Sequence, residues 1–305
     1  MARNILILNH PGRAEAQRVA LQVIDKLLEV GITPYVLQSE TDDLRDKTPP
    51  GHLDKVKVFE KSDTADLELI IVLGGDGSIL RAAELGMEQE VPVLGVNMGH
   101  VGFLAESEKE DLNETIDKVV RKDYTVKDRM VIDVKVYEGQ KLIHQDWAVN
   151  EAALEKSSEE RMIEVVVEVD GEPLVSYGCD GILMSTPTGS TAYAFSAGGP
   201  VVWPHVEAML LVPLSAHTLF SKPLIVGDES TFAVEMIQRN DAKAKLWCDG
   251  RRTFPVKAGQ RVEVNVSEKR IYLARLKEVA FTSRLVRKFN LPVTGWRGPD
   301  EGKQA

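Results

Sequence analysis

Cysteine is scarce in this chain of 305 residues: only Cys179 and Cys248 occur, and their spacing suits neither a zinc site nor a redox dithiol. Both read as small, reduced residues in or near the core. Long apolar runs are missing as well. The longest aliphatic stretches, such as Leu69 to Leu73, are far too short to cross a bilayer, and Met1 to Leu8 lacks the length and cleavage site of a secretory signal. A cytoplasmic location and no membrane partner are the expectations. Basic charge is short too, since the formal net charge is −10, which argues against an extended nucleic-acid groove built from clustered Lys and Arg. His10, His100, His144, His205 and His217 show no metal-ligand spacing. Neither G-x-G-x-x-G nor G-x-x-x-x-G-K-[ST] is present, so the Rossmann fingerprint and the Walker loop drop out.

What is present divides into two textures. The first hundred residues alternate short aliphatic runs (Ile5 to Leu8, Ile32 to Leu37, Val56 to Phe59, Leu67 to Leu73, Val91 to Asn97) with helical patterns, which is α/β order. Val19, Ala20, Val23, Ile24, Leu27 and Leu28 form one apolar stripe on the first helix, and Gly31 stops it. Ser107 and Glu110 have capping-box spacing ahead of a helix over Glu108 to Arg121.

From about Tyr124 the pattern becomes period-two alternation. It covers Val131 to Tyr137, Leu142 to Val149, Ile163 to Val169, Thr231 to Ile237, Lys245 to Cys248, Val262 to Val266 and Ile271 to Ala274. Glu138-Gly139, Asp170-Gly171 and Asp249-Gly250 mark tight hairpins. The expected fold class is therefore an α/β N-terminal domain over residues 1–123 plus a β-rich, antiparallel, sandwich-like second domain over 124–279. A C-terminal helix near 280–290 returns to the first domain, and a disordered tail spans 297–305.

The sharpest local feature is the buried strand Leu69 to Leu73 emptying into Gly74-Gly75-Asp76-Gly77-Ser78 at the start of a helix. Ligands collect beyond the carboxyl ends of strands in open α/β sheets, and glycines there let them approach the backbone. A carboxylate at the loop tip repels phosphate oxygens, yet it can accept a hydroxyl proton or approach a metal. A hydroxyl that receives a phosphoryl group fits Asp76 best. A tight turn with Asp76 as helix cap is the plainer alternative.

A second loop, Cys179 to Pro200, reads CDGILMSTPTGSTAYAFSAGGP. Gly189 and Ser190 could expose successive N–H groups, and Thr186, Thr188, Ser190 and Thr191 offer hydroxyls, a composition suited to phosphate oxygens at a helix start. A polar turn with a cap is again the plain reading. Asn150 and Glu151 close another strand with an amide for an adenine edge and a carboxylate for ribose hydroxyls. Arg81, one turn into the helix after the glycine loop, could reach a phosphate.

Taken together, these residues resemble the NAD kinase family (ATP-NAD or polyphosphate-NAD kinases). The similarity runs over nearly the whole chain, including Asn97-Met98-Gly99-His100-Val101-Gly102-Phe103-Leu104, Val149-Asn150-Glu151, Asp180-Gly181, the Thr186 to Pro200 block and Leu285-Val286-Arg287-Lys288-Phe289. The resemblance implies an NAD kinase/diacylglycerol kinase-like fold. It implies a phosphotransferase that makes NADP from NAD at the 2′-hydroxyl of the adenosine ribose, with ATP, and inorganic polyphosphate as a second donor. Asp76 becomes the proton acceptor, with Gly77 and Arg81 beside the dinucleotide. Further dinucleotide contacts fall on Asn150, Glu151, Arg161 and Asp180, and the pocket floor on Thr191, Ala192, Tyr193, Ala194, Phe195 and Ser196. Also implied are a divalent cation, Mg2+, whose ligands the resemblance does not name, and a homodimer or homotetramer in which Asp180 reaches a neighbour's pocket. Gly178 would leave a corner of the site open, as in members that accept polyphosphate. Two other readings stay open: a related kinase acting on a lipid or sugar hydroxyl through a similar glycine loop, and a non-catalytic dinucleotide sensor.

Overall fold

The computed structural model describes residues 3–9, 14–45, 48, 51, 53–60, 66–99, 102–158, 160–237 and 242–293. The expected tail at 297–305, and His10 and His100, lie outside the described residues. The chain divides into two units, one of residues 1–128 with 272–305 and one of 129–271.

The first unit is built on parallel strands. They are β1 (Asn4–Asn9), β2 (Thr33–Leu37), β3 (Lys57–Phe59), β4 (Leu69–Leu73), β5 (Val93–Asn97) and the short β6 (Ser107–Glu108). Their order is β5-β4-β1-β2-β3, with β6 against β5. Every residue of β4 and β5 is buried, as continuous aliphatic runs predict for strands covered on both faces. The helices are α1 (Ala14–Glu29), α2 (Gln38–Arg45), α3 (Asp76–Gly86) and α4 (Leu112–Arg121). The apolar stripe of α1 is buried through Val19, Ala20, Val23, Ile24 and Leu27 in one core with Ile5, Ile7, Leu69 and Ile71.

Ser107 is not the helix cap that the sequence spacing suggests. Helix α4 starts at Leu112, after β6 and a 3-10 turn, and its cap residue Asp111 makes no side-chain bond to the helix. Ser107 is instead drawn into pairing opposite Val96, and its hydroxyl lies 2.6 Å from that of Thr115. The sequence reading also missed α2, whose polar sequence QSETDDLR carries little apolar periodicity.

The second unit holds β7 (Thr125–Glu138) from residue 129 onward, β8 (Lys141–Ala148), β9 (Glu151–Lys156), β10 (Ile163–Val169), β11 (Glu172–Cys179) and β12 (Gly181–Ser185). After a short helix α5 (Tyr193–Ser196) follow β13 (Ala208–Leu214), β14 (Leu224–Gly227), β15 (Thr231–Met236), β16 (Lys243–Cys248), β17 (Arg252–Lys257) and β18 (Gln260–Arg275). Six strands make an antiparallel sheet in the order β14-β13-β12-β9-β16-β17. A second layer carries β11-β10-β15-β18, with β7 and β8 paired beside β18. Alternate residues of both layers, among them Leu154, Ile182, Val165, Val234 and the fully buried Phe232, share one core.

The hairpin glycines behave as their sequence signals require. Asp170 and Gly171, and Asp249 and Gly250, all have positive φ. The two strands expected at Val262 to Val266 and Ile271 to Ala274 are one continuous strand, β18, whose last residues, 272–275, belong to the first unit, with Leu273 opposite Val93. The last helix, α6 (Phe281–Phe289), also belongs to that unit.

Candidate functional site

In the first unit, β4 delivers Asp76 as the first residue of α3. Gly75 is the cap position and no side chain caps this helix, so Asp76 is not the helix cap of the plain reading. Its carboxylate turns to the segment after β5. Phe103 N–H donates to Oδ2 at 2.9 Å and Leu104 N–H to Oδ1 at 3.0 Å. Two backbone donors hold the group in one orientation while each oxygen keeps a lone pair for another partner. The approach is close because residue 102 is glycine: a Cβ there would come within 2.7 Å of Asp76 Cγ and 2.9 Å of Oδ2.

Asp76 is half-buried and Gly77 beside it is exposed. Arg81, on the same helix, forms an ion pair of 3.5 Å with buried Glu40. Glu40 in turn accepts both the backbone and the side-chain N–H of Asn9 at 3.0 Å. A guanidinium placed this way is tethered rather than loose.

In the second unit the six-stranded sheet sets the geometry. Glu151, Ala153 and Glu155 alternate onto one face of β9, and their register partners on β12 are Ser185, Leu183 and Gly181. That face is covered by α5 through Ala194, fully buried against Ala153, Leu183 and Val212. Tyr193 and Phe195 flank Ala194 and stay exposed, and Tyr193 Oη donates to Glu155 at 2.7 Å. Of the expected floor residues, Thr191 and Ala192 are half-buried and Ser196 is exposed.

The loop before α5 differs from the open cradle of hydroxyls that its composition suggests. Thr186 Oγ1 donates to Val149 O and accepts from Gly189 N–H, Ser190 Oγ bridges Pro187 O and Val202, and Thr191 Oγ1 donates to Thr188 O. Thr186 and Ser190 are buried, so these hydroxyls satisfy backbone groups that a tight buried turn would otherwise orphan. Thr188 Oγ1 alone among these four hydroxyls has no partner among the described residues. Gly189 N–H is likewise spent internally. At Gly189 a Cβ would come within 2.5 Å of Asn150 C and Ser185 Oγ, so the loop lies directly on the end of β9.

Asn150 and Glu151 are fixed by a residue whose role the sequence hid. Asp249 reads there only as part of a turn, yet its carboxylate accepts Val149 N–H at 3.0 Å and Asn150 N–H at 2.7 Å, with Arg252 Nη2 at 3.4 Å. Burial drives both acids toward the neutral form. Burial pushes Asp249 up, but those N–H donors and Arg252 pull it back. Glu151 has fewer donors: the N–H of Tyr193 helps it, Asp249 opposes it, and burial dominates, so its pKa is pushed up to about 8. One of its oxygens, Oε2, has no partner among the described residues. Burial thus favours the protonated form of Glu151 over the carboxylate of the sequence reading, and in that form it can both donate to and accept from a hydroxyl.

Lys156, at the end of β9, gathers two more expected residues. Its Nζ lies 3.4 Å from Asp180 and donates to Arg161 O at 3.3 Å. The Arg161 side chain is exposed. The corner at Gly178 is not open: Met162 Sδ lies 2.5 Å from where a Cβ would stand, so the space is already filled. Among the described residues no group of three His, Cys, Asp or Glu side chains could hold a metal ion. No helix among the described residues is long and apolar enough to cross a membrane.

Comparison with known proteins covers both units. Residues 5–124 match the ATP-NAD kinase N-terminal domain and residues 149–276 the ATP-NAD kinase C-terminal domain. The chain is 52% identical over 298 residues to the NAD kinase of Leifsonia xyli subsp. xyli, covering 98% of each chain. Among solved structures it resembles yeast NADH kinase complexed with NADH, with TM-score 0.87, 22% identity and coverage of 96% of this chain and 89% of that one. It also resembles an NAD kinase from Archaeoglobus fulgidus in complex with ATP, with TM-score 0.65, 24% identity and coverage of 95% and 96%. These two likenesses are of fold.

Proposed function

The chain belongs to the ATP-NAD kinase family, and from that membership we propose that it transfers the γ-phosphoryl group of ATP to the 2′-hydroxyl of the adenosine ribose of NAD, yielding NADP and ADP. Asp76 orients the hydroxyl and takes its proton as the ribose oxygen bonds to phosphorus and the bond to the ADP oxygen breaks. The observation that carries this reading is the carboxylate itself. It is held by the N–H groups of Phe103 and Leu104 and keeps lone pairs for the hydroxyl, so little reorganisation is needed at the moment of transfer.

Gly77 and Arg81 lie on the same helix start as contacts for the dinucleotide or its donor. Asn150 reads the adenine edge, and Glu151 engages ribose hydroxyls as donor and acceptor. Tyr193, Phe195 and their neighbours from Thr191 to Ser196 form the floor over Ala194, and Asp180 and Arg161 supply outer contacts. A divalent cation, Mg2+, would supply neutralisation of charge on the transferring group when bound with the donor. The active species is a homodimer or homotetramer.

The test is direct. The protein is incubated with NAD, ATP and Mg2+, and NADP is followed with an NADP-specific dehydrogenase. Wild type forms NADP. Asp76→Asn still binds NAD by calorimetry but loses roughly 10²- to 10⁴-fold in kcat; an Asp76→Asn enzyme of normal turnover refutes the proton-acceptor role. The same assay with polyphosphate in place of ATP decides the second donor, for which the filled corner at Gly178 gives no support.

A further inference from the structure

The N–H groups that hold Asp76 belong to a segment that is itself clamped from the far end of the chain. Glu106 closes that segment, and its side chain is 1% exposed. It accepts Arg275 Nη1 at 2.8 Å, Arg284 Nη2 at 2.7 Å and the backbone N–H groups of Leu276 and Lys277 at 3.1 and 3.2 Å. The same Arg284 uses its other terminal nitrogen on the segment's backbone, donating to Ala105 O at 2.7 Å and to Phe103 O at 3.5 Å. Arg275 Nη1 also reaches Leu104 O at 3.3 Å. The ring of Phe103 packs between Phe281 and Phe289 of α6, with centroids 5.9 and 5.8 Å away. Residues 103–106 are thus fixed through one carboxylate, two guanidinium groups, three carbonyls and an aromatic ring, all within the first unit.

We infer that Arg284 is a positioning residue for phosphoryl transfer: by clamping residues 103–106 through Glu106 and the carbonyls of Phe103 and Ala105, it fixes the two N–H groups that aim the Asp76 carboxylate. The inference rests on Asp76 being the proton acceptor. Arg284 touches no reacting atom; it acts only through the segment. A planar guanidinium spreads its donors over two terminal nitrogens in a fixed fork and so spans a carboxylate and carbonyls in one orientation, whereas an ammonium meets all its partners at a single freely rotating atom. Buried ion pairs of this kind contribute little net stability, and a role in fixing one arrangement accounts better for the placement of two arginines on one glutamate.

The test combines kinetics with stability. Arg284→Met keeps the stem and removes the guanidinium; Arg284→Lys keeps charge and loses the fork. Shifting the carboxylate by about 1 Å is enough for roughly a 10²-fold loss. Arg284→Met is expected to lower kcat on the order of 10²-fold, with the KM for NAD within about twofold of wild type, and Arg284→Lys is expected to fall between. Gly102→Ala, which pushes on the Asp76 carboxylate directly and leaves the clamp intact, is expected to give the same kcat-specific loss. Placing Arg284→Met in an Asp76→Asn background should add less than about threefold, because the segment then has no base to aim.

Normal kcat in a folded Arg284→Met enzyme overturns the inference, as does a loss that multiplies fully with Asp76→Asn. If Arg284→Met does not fold, Arg284→Lys decides on the same two criteria, and a loss confined to KM or to melting temperature counts against positioning. An active Asp76→Asn enzyme would sink the underlying reading of Asp76. An inactive one beside a fully active Arg284→Met removes the clamp alone.

Discussion

Replacing Glu151 by glutamine should change how stability depends on pH. The residue is 7% exposed, lies near Asp249 and has one oxygen without a partner among the described residues, and its pKa is pushed from 4.5 up to about 8. Below pH 4.5 both folded and unfolded chains carry the proton. Between 4.5 and 8 only the folded chain does, so the stability this proton contributes is lost as pH rises and is gone above 8. The full interval is about 3.5 pH units, or roughly 5 kcal/mol, and from pH 5 to pH 9 the wild type should lose about 4 kcal/mol through this group. The substituted glutamine does not titrate and keeps an amide in the same space.

The difference in stability between Glu151→Gln and wild type should therefore grow by about 4 kcal/mol in favour of the variant from pH 5 to pH 9. In melting temperature this is on the order of 10 °C for a unit of this size. Three of the four tryptophans, Trp147, Trp203 and Trp247, lie in the second unit, so tryptophan fluorescence in thermal and urea unfolding reports on it. Parallel pH curves for the two proteins, within about 1 kcal/mol, would mean that Glu151 is ionised in the fold and that its reading as a neutral acid is wrong. Asp249→Asn is the control. If that variant alone flattens the curve, the proton resides on Asp249 despite the backbone donors around it.

Gly189→Ala puts a methyl group against Asn150 C and Ser185 Oγ, so the end of β9 must shift; a loss of roughly 1–3 kcal/mol and a higher KM for NAD are expected by thermal melting and steady-state assay. Chelation of divalent cations should stop NADP formation and leave the melting temperature within about 1 °C, since no metal cage built by the described residues contributes to folding; a drop of several degrees would reveal a resident structural ion. Light scattering should give two or four times the chain mass, and a monomer that is fully active would remove any need for a neighbour at Asp180.

Much of this was legible in local sequence because local geometry decides it. The stripe of α1, the buried runs of β4 and β5 and the Asp-Gly hairpins are short-range statements, and each has its expected structure. The position of Asp76 at the end of a buried strand is of the same kind. Where its carboxylate points is not, because its partners are backbone N–H groups at residues 103 and 104, and backbone donors leave no trace in residue identity. Asp249 was visible as a turn former, and the same residue also fixes Val149 and Asn150 about a hundred positions earlier; a motif can disclose the first duty and not the second. The loop from Thr186 to Thr191 misled for a related reason. Ser and Thr suit phosphates and tight turns alike, and only burial shows that most of these hydroxyls are committed to the backbone.

The clamp on residues 103–106 carries this furthest. Glu106 meets Arg275 and Arg284 across 169 and 178 positions, and in sequence each of these is an ordinary charge on an ordinary segment. Only the fold makes them one group, by returning the end of the chain to the first unit, where 272–305 join 1–128. On the inference drawn above, the orientation of Asp76 is set through residues 103–106 by residues of the last strand and helix that pack on that segment. Removing α6 by truncation after Lys277 should then cost turnover before it costs the parallel core, since α6 buries none of its residues fully while Phe103 loses both aromatic partners and Glu106 loses Arg284 but keeps Arg275. A truncated protein with full kcat would show that the carboxylate is aimed without them.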